Sequence, residues 1–255
     1  MASCLVVLSG GQDSTTCLYW AKERFATVHA VTFNYGQKHS REIDAACIIA
    51  KMANVASHEV VDIPGVLKGR SPLTNTEEQL ETYKDISEMN AIIQNRVELT
   101  FVPMRNALFL TLAANVAVCK DVYNLVTGTC QEDLANYPDC RQSFIWATEQ
   151  YINLALGLDR LGRRLEIHTP LMTRSKPDTV HLAYALPGCW HALAYSHTAY
   201  SGEYPPVTQD HATVLRADGF LRAGLPDPLI LRAWSEGLME LPATSNYDEV
   251  RNGKR

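Results

Sequence analysis

The sequence predicts an α/β fold, a doubly wound, mostly parallel sheet followed by a small, mostly helical C-terminal region, on three observations. Strand and helix signals alternate through the first two thirds of the chain, the signature of βαβ units. The first apolar strand runs directly into a glycine pair and a helix, LVVLSGGQDSTTCLYWA, Leu5 to Ala21. Beyond about Pro187 clean periodicity gives way to aromatics, prolines and small residues.

In order, Cys4–Leu8 reads as a strand, Ser14–Glu23 as a helix, Val28–Phe33 as a strand, His39–Met52 as an amphipathic helix and Ser57–Val61 as a third strand. Residues 66–98 form a long polar, turn-rich insertion with one or two short helical stretches, of the kind that is usually functional or mobile. Asn106–Val118 is an alanine- and leucine-rich helix, Asn124–Gly128 a strand ending in glycine, Gln142–Ala155 a helix, Arg164–His168 a strand and Pro177–Tyr184 the start of another helix. The stretch GLPDPLILRAWSEGL contains one more helix, and residues 241–255 read as a polar tail. The expected organisation is therefore a nucleotide-binding domain over 1–186 and a C-terminal region over 187–255.

The chain has 255 residues with 23 basic and 28 acidic side chains, a net charge of -5. That balance provides no general electrostatic reason to bind nucleic acid or an anionic membrane. No apolar run approaches the roughly 20 residues that span a bilayer, and MASCLVVLSGG lacks a basic leader and a cleavage pattern. A cytoplasmic protein is expected. The seven cysteines are scattered without a C-x-x-C pair, against both a disulfide framework and a cysteine zinc site.

The chemistry concentrates in SGGQDSTT. Gly10 and Gly11 allow backbone geometry closed to other residues, so several N–H groups can converge on one anion. The helix that follows adds its dipole, and Ser9, Ser14 and Thr15 add hydroxyl donors. The result is a phosphate cradle, distinct from G-x-x-x-x-G-K-[ST] because no lysine follows the glycines. Asp13 beside a polyphosphate reads as a magnesium partner. The alternative is a plain glycine turn with Asp13 or Ser14 capping a helix.

S-G-G-Q-D-S resembles the pyrophosphate-binding loop of the N-type ATP pyrophosphatases, and SGGQDSTTCL continues as in the QueC family of 7-cyano-7-deazaguanine synthases. VTFNYGQKHSREI, SPLT, FVPMRN, NYPDCR and HTPLMTRSK each resemble a QueC segment, in order, over roughly residues 4 to 176. The resemblance implies a Rossmann-like, adenine nucleotide alpha hydrolase-like fold. It also implies adenylation of the carboxylate of 7-carboxy-7-deazaguanine by ATP with magnesium, reaction with ammonia to an amide, and a second activation to the nitrile preQ0, a queuosine precursor. Such chemistry demands positioning and charge stabilisation rather than a protein nucleophile.

By that resemblance Leu8, Ser9, Gly10, Gly11, Gln12, Asp13, Ser14 and Thr15 form the ATP loop, and Phe33, Tyr35 and Gln37 lie near adenine or ribose. Asp13, Arg105 and Lys176 are the catalytic candidates, the two cations neutralising charge on the α-phosphate and the leaving pyrophosphate; each could instead be a surface cation. Asp133, Tyr137, Asp139, Arg141 and Met104 are the candidates for the deazaguanine, with a structural turn around Pro138 and Asp139 as the alternative. A reactive role for Cys140 would need a depressed pKa.

Two departures stand out. The family's zinc site of four cysteines, C-x7-8-C-x2-C-x2-C, falls here on Ala199, Val207, Asp210 and Thr213, so no zinc is expected. Packing by Tyr195, Tyr200, Tyr204 and Phe220, a substitute metal site from His197, Asp210 and His211, or a partner protein could replace it. The family's V-P-G-R-N reads Val102-Pro103-Met104-Arg105-Asn106, so that Met104 either reshapes the pocket or points into the core. Three functions follow: a synthase releasing preQ0 or the amide; a relative in anti-phage defence of the type IV CBASS kind that attaches a deazaguanine to a partner nucleotidyltransferase; or a non-catalytic ATP- or deazapurine-binding subunit. The family resemblance implies a homodimer.

Overall fold

A computed structural model describes residues 2–37, 41–69, 71–75, 77–131 and 136–253. The predicted helix start at His39, and the candidate Asp133, lie outside the described residues. Five strands, β1 (Ser3–Val7), β2 (Thr27–Asn34), β3 (Ser57–Asp62), β4 (Asn124–Val126) and β5 (Glu166–His168), form one sheet in the order β3-β2-β1-β4-β5. Every pairing is parallel. The chain builds outward from β1 to β3 and then returns to build the other way from β4, leaving a crevice at the strand ends between β1 and β4.

The helices in chain order are α1 (Gln12–Lys22), α2 (Arg41–Met52), α3 (Ile86–Ile93), α4 (Arg105–Val118), α5 (Gln142–Leu156), α6 (Lys176–Ala185), α7 (Cys189–Leu193), α8 (His211–Ala223), α9 (Pro228–Ser235) and α10 (Asp248–Arg251). Cys4, Val6 and Leu8 point into one apolar layer shared with α1, α2, α6, α7 and Phe220 of α8, while Leu5 points into the other with α4 and α5. A strand buried on both faces must be apolar at every position, which is why CLVVL reads as a continuous run.

β2 and β3 run one residue or more beyond the sequence expectation, whereas β4 and β5 are shorter than expected, for local reasons. β4 stops at Val126 because Gly128 presses on the start of α1, where a Cβ would lie 3.1 Å from both Asp13 C and Ser14 N. β5 starts at Glu166 because Leu165 N–H is diverted to Asn153 Oδ1 at 2.8 Å.

The insertion at 66–98 contains one described helix, α3, capped by Asp85, and it is docked rather than solvated. Tyr83, Met89 and Ile93 pack on Val214 and Leu215 of α8, and Tyr83 N–H donates to Gln209 O at 2.8 Å. The expected polar tail also folds back. Tyr247 is buried with its hydroxyl accepting from Asp227 N, and Asn246 Nδ2 donates to Leu225 O.

The closure of the C-terminal region is polar as well as apolar, including the helix-free stretch 194–210 between α7 and α8. Asp210 caps α8, its Oδ1 accepting from Thr213 N at 2.9 Å and its Oδ2 from Tyr200 N at 2.7 Å. Two of the four cysteine positions therefore carry a cap and its partner, while Ala199 is buried and Val207 exposed. Deeper in, Arg216 is bidentate to Asp227, the cap of α9, at 2.6 and 2.8 Å, and its remaining donors reach Ser196 and Thr198. Phe220 is fully buried as expected, whereas Tyr195 and Tyr204 stack on Arg232. The described residues contain no group of three His, Cys, Asp or Glu able to hold a metal, and His197 is turned to Ala199 O at 2.8 Å. These side chains do not fit a zinc centre.

Candidate functional site

At the crevice between β1 and β4 the structure opens a cavity of about 300 Å³. Its floor is the turn from β1 to α1. Gly10 adopts a left-handed φ of +85°, and a Cβ there would meet Glu42 O at 2.3 Å, so only glycine fits beneath α2. Gly11 is different: its φ of -80° and ψ of 170° are open to any residue, and it serves as the N-cap of α1 without a side-chain cap. The first-turn N–H groups of α1 therefore face the cavity end with the positive pole of the helix behind them.

The hydroxyls divide. Ser9 and Ser14 line the cavity and share a hydrogen bond of 3.0 Å between their Oγ atoms. Thr15 is fully buried and its Oγ1 donates back to Gly11 O at 2.8 Å, so it shapes the turn rather than facing the cavity. Leu8 and Phe33 likewise belong to the apolar layers, Phe33 stacked on Phe109 at 4.7 Å. Gln37 accepts from Tyr35 N at 3.0 Å and holds the segment after β2, which leaves Tyr35 on the cavity wall.

Arg105 and Lys176 both line the cavity. Lys176, at the start of α6 behind the Ser175 cap, donates Nζ–H to Asp13 Oδ2 at 2.7 Å across 163 residues of sequence. Arg105 opens α4, hydrogen-bonds to Tyr35 and faces Tyr137, Tyr200 and Glu42. Three positive features thus converge on this cavity, the α1 N-terminus and two cations, an arrangement suited to an anion.

The NYPDCR segment forms a short 3-10 turn, Pro138–Cys140. Tyr137 and Cys140 reach the cavity. Tyr137 is held from behind by Thr100 Oγ1 at 2.6 Å and by Glu98 Oε2, which accepts its O–H at 3.1 Å. Burial pushes the Tyr137 hydroxyl well above its usual range, so it stays a donor. Asp139 stands outside the lining and accepts from Asn106 N at 3.3 Å, tying this turn to α4, while burial raises its carboxyl. Arg141 is exposed and donates to Gln131 O. Met104 neither points into the core nor lines the cavity: it is 68% exposed, in a left-handed conformation of φ 65° before α4. The family's glycine suits that backbone, and methionine tolerates it at a cost of about 1–2 kcal/mol.

Several cavity residues are not legible in the sequence as part of this site, His197 and His211 reading there only as metal ligands and Tyr200 only as packing. His197, Tyr200 and His211 come from the C-terminal region, and His197 N–H donates to Gly10 O at 2.9 Å, fastening that region to the glycine turn. Glu42 enters from the first turn of α2; burial, helped by Asp210 and opposed by Arg105, pushes its carboxyl up to about 7. Gln12 Nε2 and Thr129 Oγ1 are buried in the wall with no hydrogen-bond partner among the described residues. Each such orphan costs about 1–3 kcal/mol, which a bound polar ligand would recover.

The sequence comparisons cover the whole stretch of chain that builds this cavity. The family model described as queuosine biosynthesis protein QueC matches residues 3–224. The 7-cyano-7-deazaguanine synthase of Laribacter hongkongensis is 48% identical over 229 residues, 89% of this chain and 94% of that one. Those of Chromobacterium violaceum and Gloeobacter violaceus are 45% and 42% identical, over 91% and 90% of this chain and 94% and 96% of theirs. A match that runs from the first strand through α8, with relatives aligned over nearly their full lengths, places this chain in the QueC family.

Proposed function

We propose that this protein is an ATP-dependent, AMP-forming C–N ligase that activates the carboxylate of 7-carboxy-7-deazaguanine and converts it to the amide and on to the nitrile preQ0. The observation that carries this reading is the convergence of the α1 N-terminus, Arg105 and the Asp13–Lys176 pair on one cavity at the sheet's switch point, in a chain of the QueC family. The N–H groups of the Ser9–Ser14 turn hold the β- and γ-phosphates. Arg105 and Lys176 neutralise charge as pyrophosphate leaves. Thr129 supplies a donor, and the Tyr137 oxygen an acceptor, to the polar edge of the deazapurine or the nucleotide.

Magnesium suits the site as an ion carried by the phosphates: one carboxylate, Asp13, stands among hydroxyls, and this metal usually takes one or two carboxylates plus phosphate oxygens. When bound, it would supply charge neutralisation on the polyphosphate, with Asp13 the residue to hold it. Lys176 occupies Asp13 Oδ2 and keeps that carboxylate oriented towards the loop.

The purified chain incubated with 7-carboxy-7-deazaguanine, ammonium, magnesium and ATP is expected to release AMP and form preQ0, followed by mass spectrometry. Asp13→Ala should abolish AMP release, and survival of turnover would refute the phosphate assignment. AMP release without amide or nitrile, together with a deazapurine-sized mass increase on a co-encoded partner protein, would instead establish transfer to a protein amine.

A further inference from the structure

Two carboxylates line the cavity, and the structure treats them oppositely. Asp13 is paired with the Lys176 ammonium group at 2.7 Å. Glu42 lines the same cavity from the first turn of α2, whose backbone is packed onto Gly10, so its position follows that of the glycine turn. The groups facing it are Arg105 from α4, Asp210 from the α8 cap, Tyr35 after β2 and Tyr200. One cation and one buried anion oppose each other there, so the carboxylate can change protonation without stranding a partner. Nothing in phosphate binding requires such a group. The second half of a ligase reaction does, because ammonia exists in neutral water almost entirely as ammonium, which has no lone pair to attack with.

Resting on the reading above, we propose that Glu42 is the general base that takes a proton from the incoming ammonium at the acyl adenylate. The Glu42 carboxylate accepts one proton and becomes the acid. The freed nitrogen lone pair forms the C–N bond at the acyl carbon, and the C–O bond to AMP breaks, its electron pair leaving on the AMP phosphate oxygen. The nitrogen, then positively charged, loses a second proton to water, and Glu42 returns its own proton to solvent. Its elevated pKa, about 7 from burial, matches the requirement that a base be half-available near neutrality. The division of labour, one carboxylate paired with a lysine and a second left to take up and release a proton, is how two carboxylates of one site acquire separate roles.

The test is Glu42→Gln in the full chain, read in two half-reactions. Exchange of labelled pyrophosphate into ATP, dependent on 7-carboxy-7-deazaguanine, should fall far less than amide formation from ammonium, which should drop roughly a hundredfold. Hydroxylamine, already neutral at neutral pH, should restore acyl transfer in the variant as the hydroxamate. The wild-type amide rate should rise through the titration of a group near pH 7, and Glu42→Asp should retain a pH-dependent rate even if the glutamine variant folds poorly. Equal loss of exchange and of both nucleophiles would overturn the proposal, as would an unchanged ammonium rate. So would a pH profile abolished by His197→Gln or His211→Gln and kept by Glu42→Gln. If the wild type shows no carboxylate-dependent exchange, the ligase reading itself fails and this inference with it.

Discussion

Gly10 and Gly11 are adjacent, yet they do different work. Gly10 needs its left-handed backbone and has no room for a Cβ under Glu42 O, whereas Gly11 has an ordinary conformation with nothing nearer to a Cβ than Ser9 Oγ at 3.5 Å. Gly10→Ala should therefore destabilise the fold by at least about 2 kcal/mol in urea unfolding, while Gly11→Ala folds normally and loses only ligand affinity. Thr129 makes the complementary case. Its buried Oγ1 lacks a partner among the described residues, so Thr129→Val should raise the melting temperature of the unliganded protein and weaken binding of ATP or the deazapurine in calorimetry. An unchanged affinity would remove Thr129 from the ligand's contacts. Met104 shows the limit of residue-type reasoning: its side chain is solvent-exposed, and what matters at that position is the backbone φ, which a sequence does not display.

At the scale of elements, the C-terminal helices are held by charge-assisted hydrogen bonds where the family uses four thiolates. The Arg216–Asp227 pair is nearly solvent-free, with side chains 4% and 5% exposed, and it joins α8 to the cap of α9 and to the segment that reaches the glycine turn. Asp227→Ala leaves the Arg216 charge stranded and should cost about 3–5 kcal/mol, against about 1 kcal/mol for Asp210→Ala, which removes a helix cap. Dialysis against a strong chelator is expected to leave the melting temperature unchanged. Periodicity announced α9 but not α8, because the residues that fasten α8 are single polar side chains whose partners lie 11 to 20 positions away. The helices α4 and α5 and the strands β1 and β2 were readable because their burial is repetitive and local. The docked α3 and the anchored end of the chain, read from sequence as an insertion and a tail, escaped because one or two apolar residues such as Tyr83 or Tyr247 suffice to bury such segments.

Across the whole molecule, pH links the site to stability. The native Glu42 carboxyl binds its proton more tightly than the ordinary value of 4.5, up to about 7, so the folded state holds more protons than the unfolded one in that window. Stability from this group is therefore lost as pH rises from about 4.5 to 7. Glu42→Gln, which carries no charge, should gain on the wild type between pH 5 and pH 8 in urea unfolding; His29, His58 and His168, whose burial lowers their pKa, act alike in both and cancel. The sequence by itself determined the α/β class, the strand–turn–helix around Ser9–Ser14 and the family, because strand, turn and helix are consecutive and their signals are short-range. Only the tertiary structure decided that Glu42, Tyr200, His197 and His211 share the cavity with Asp13 and Lys176, and that a buried arginine closes the C-terminal region. Those residues are brought together by packing across the sheet's switch point, over separations at which neither spacing nor composition carries information about contact.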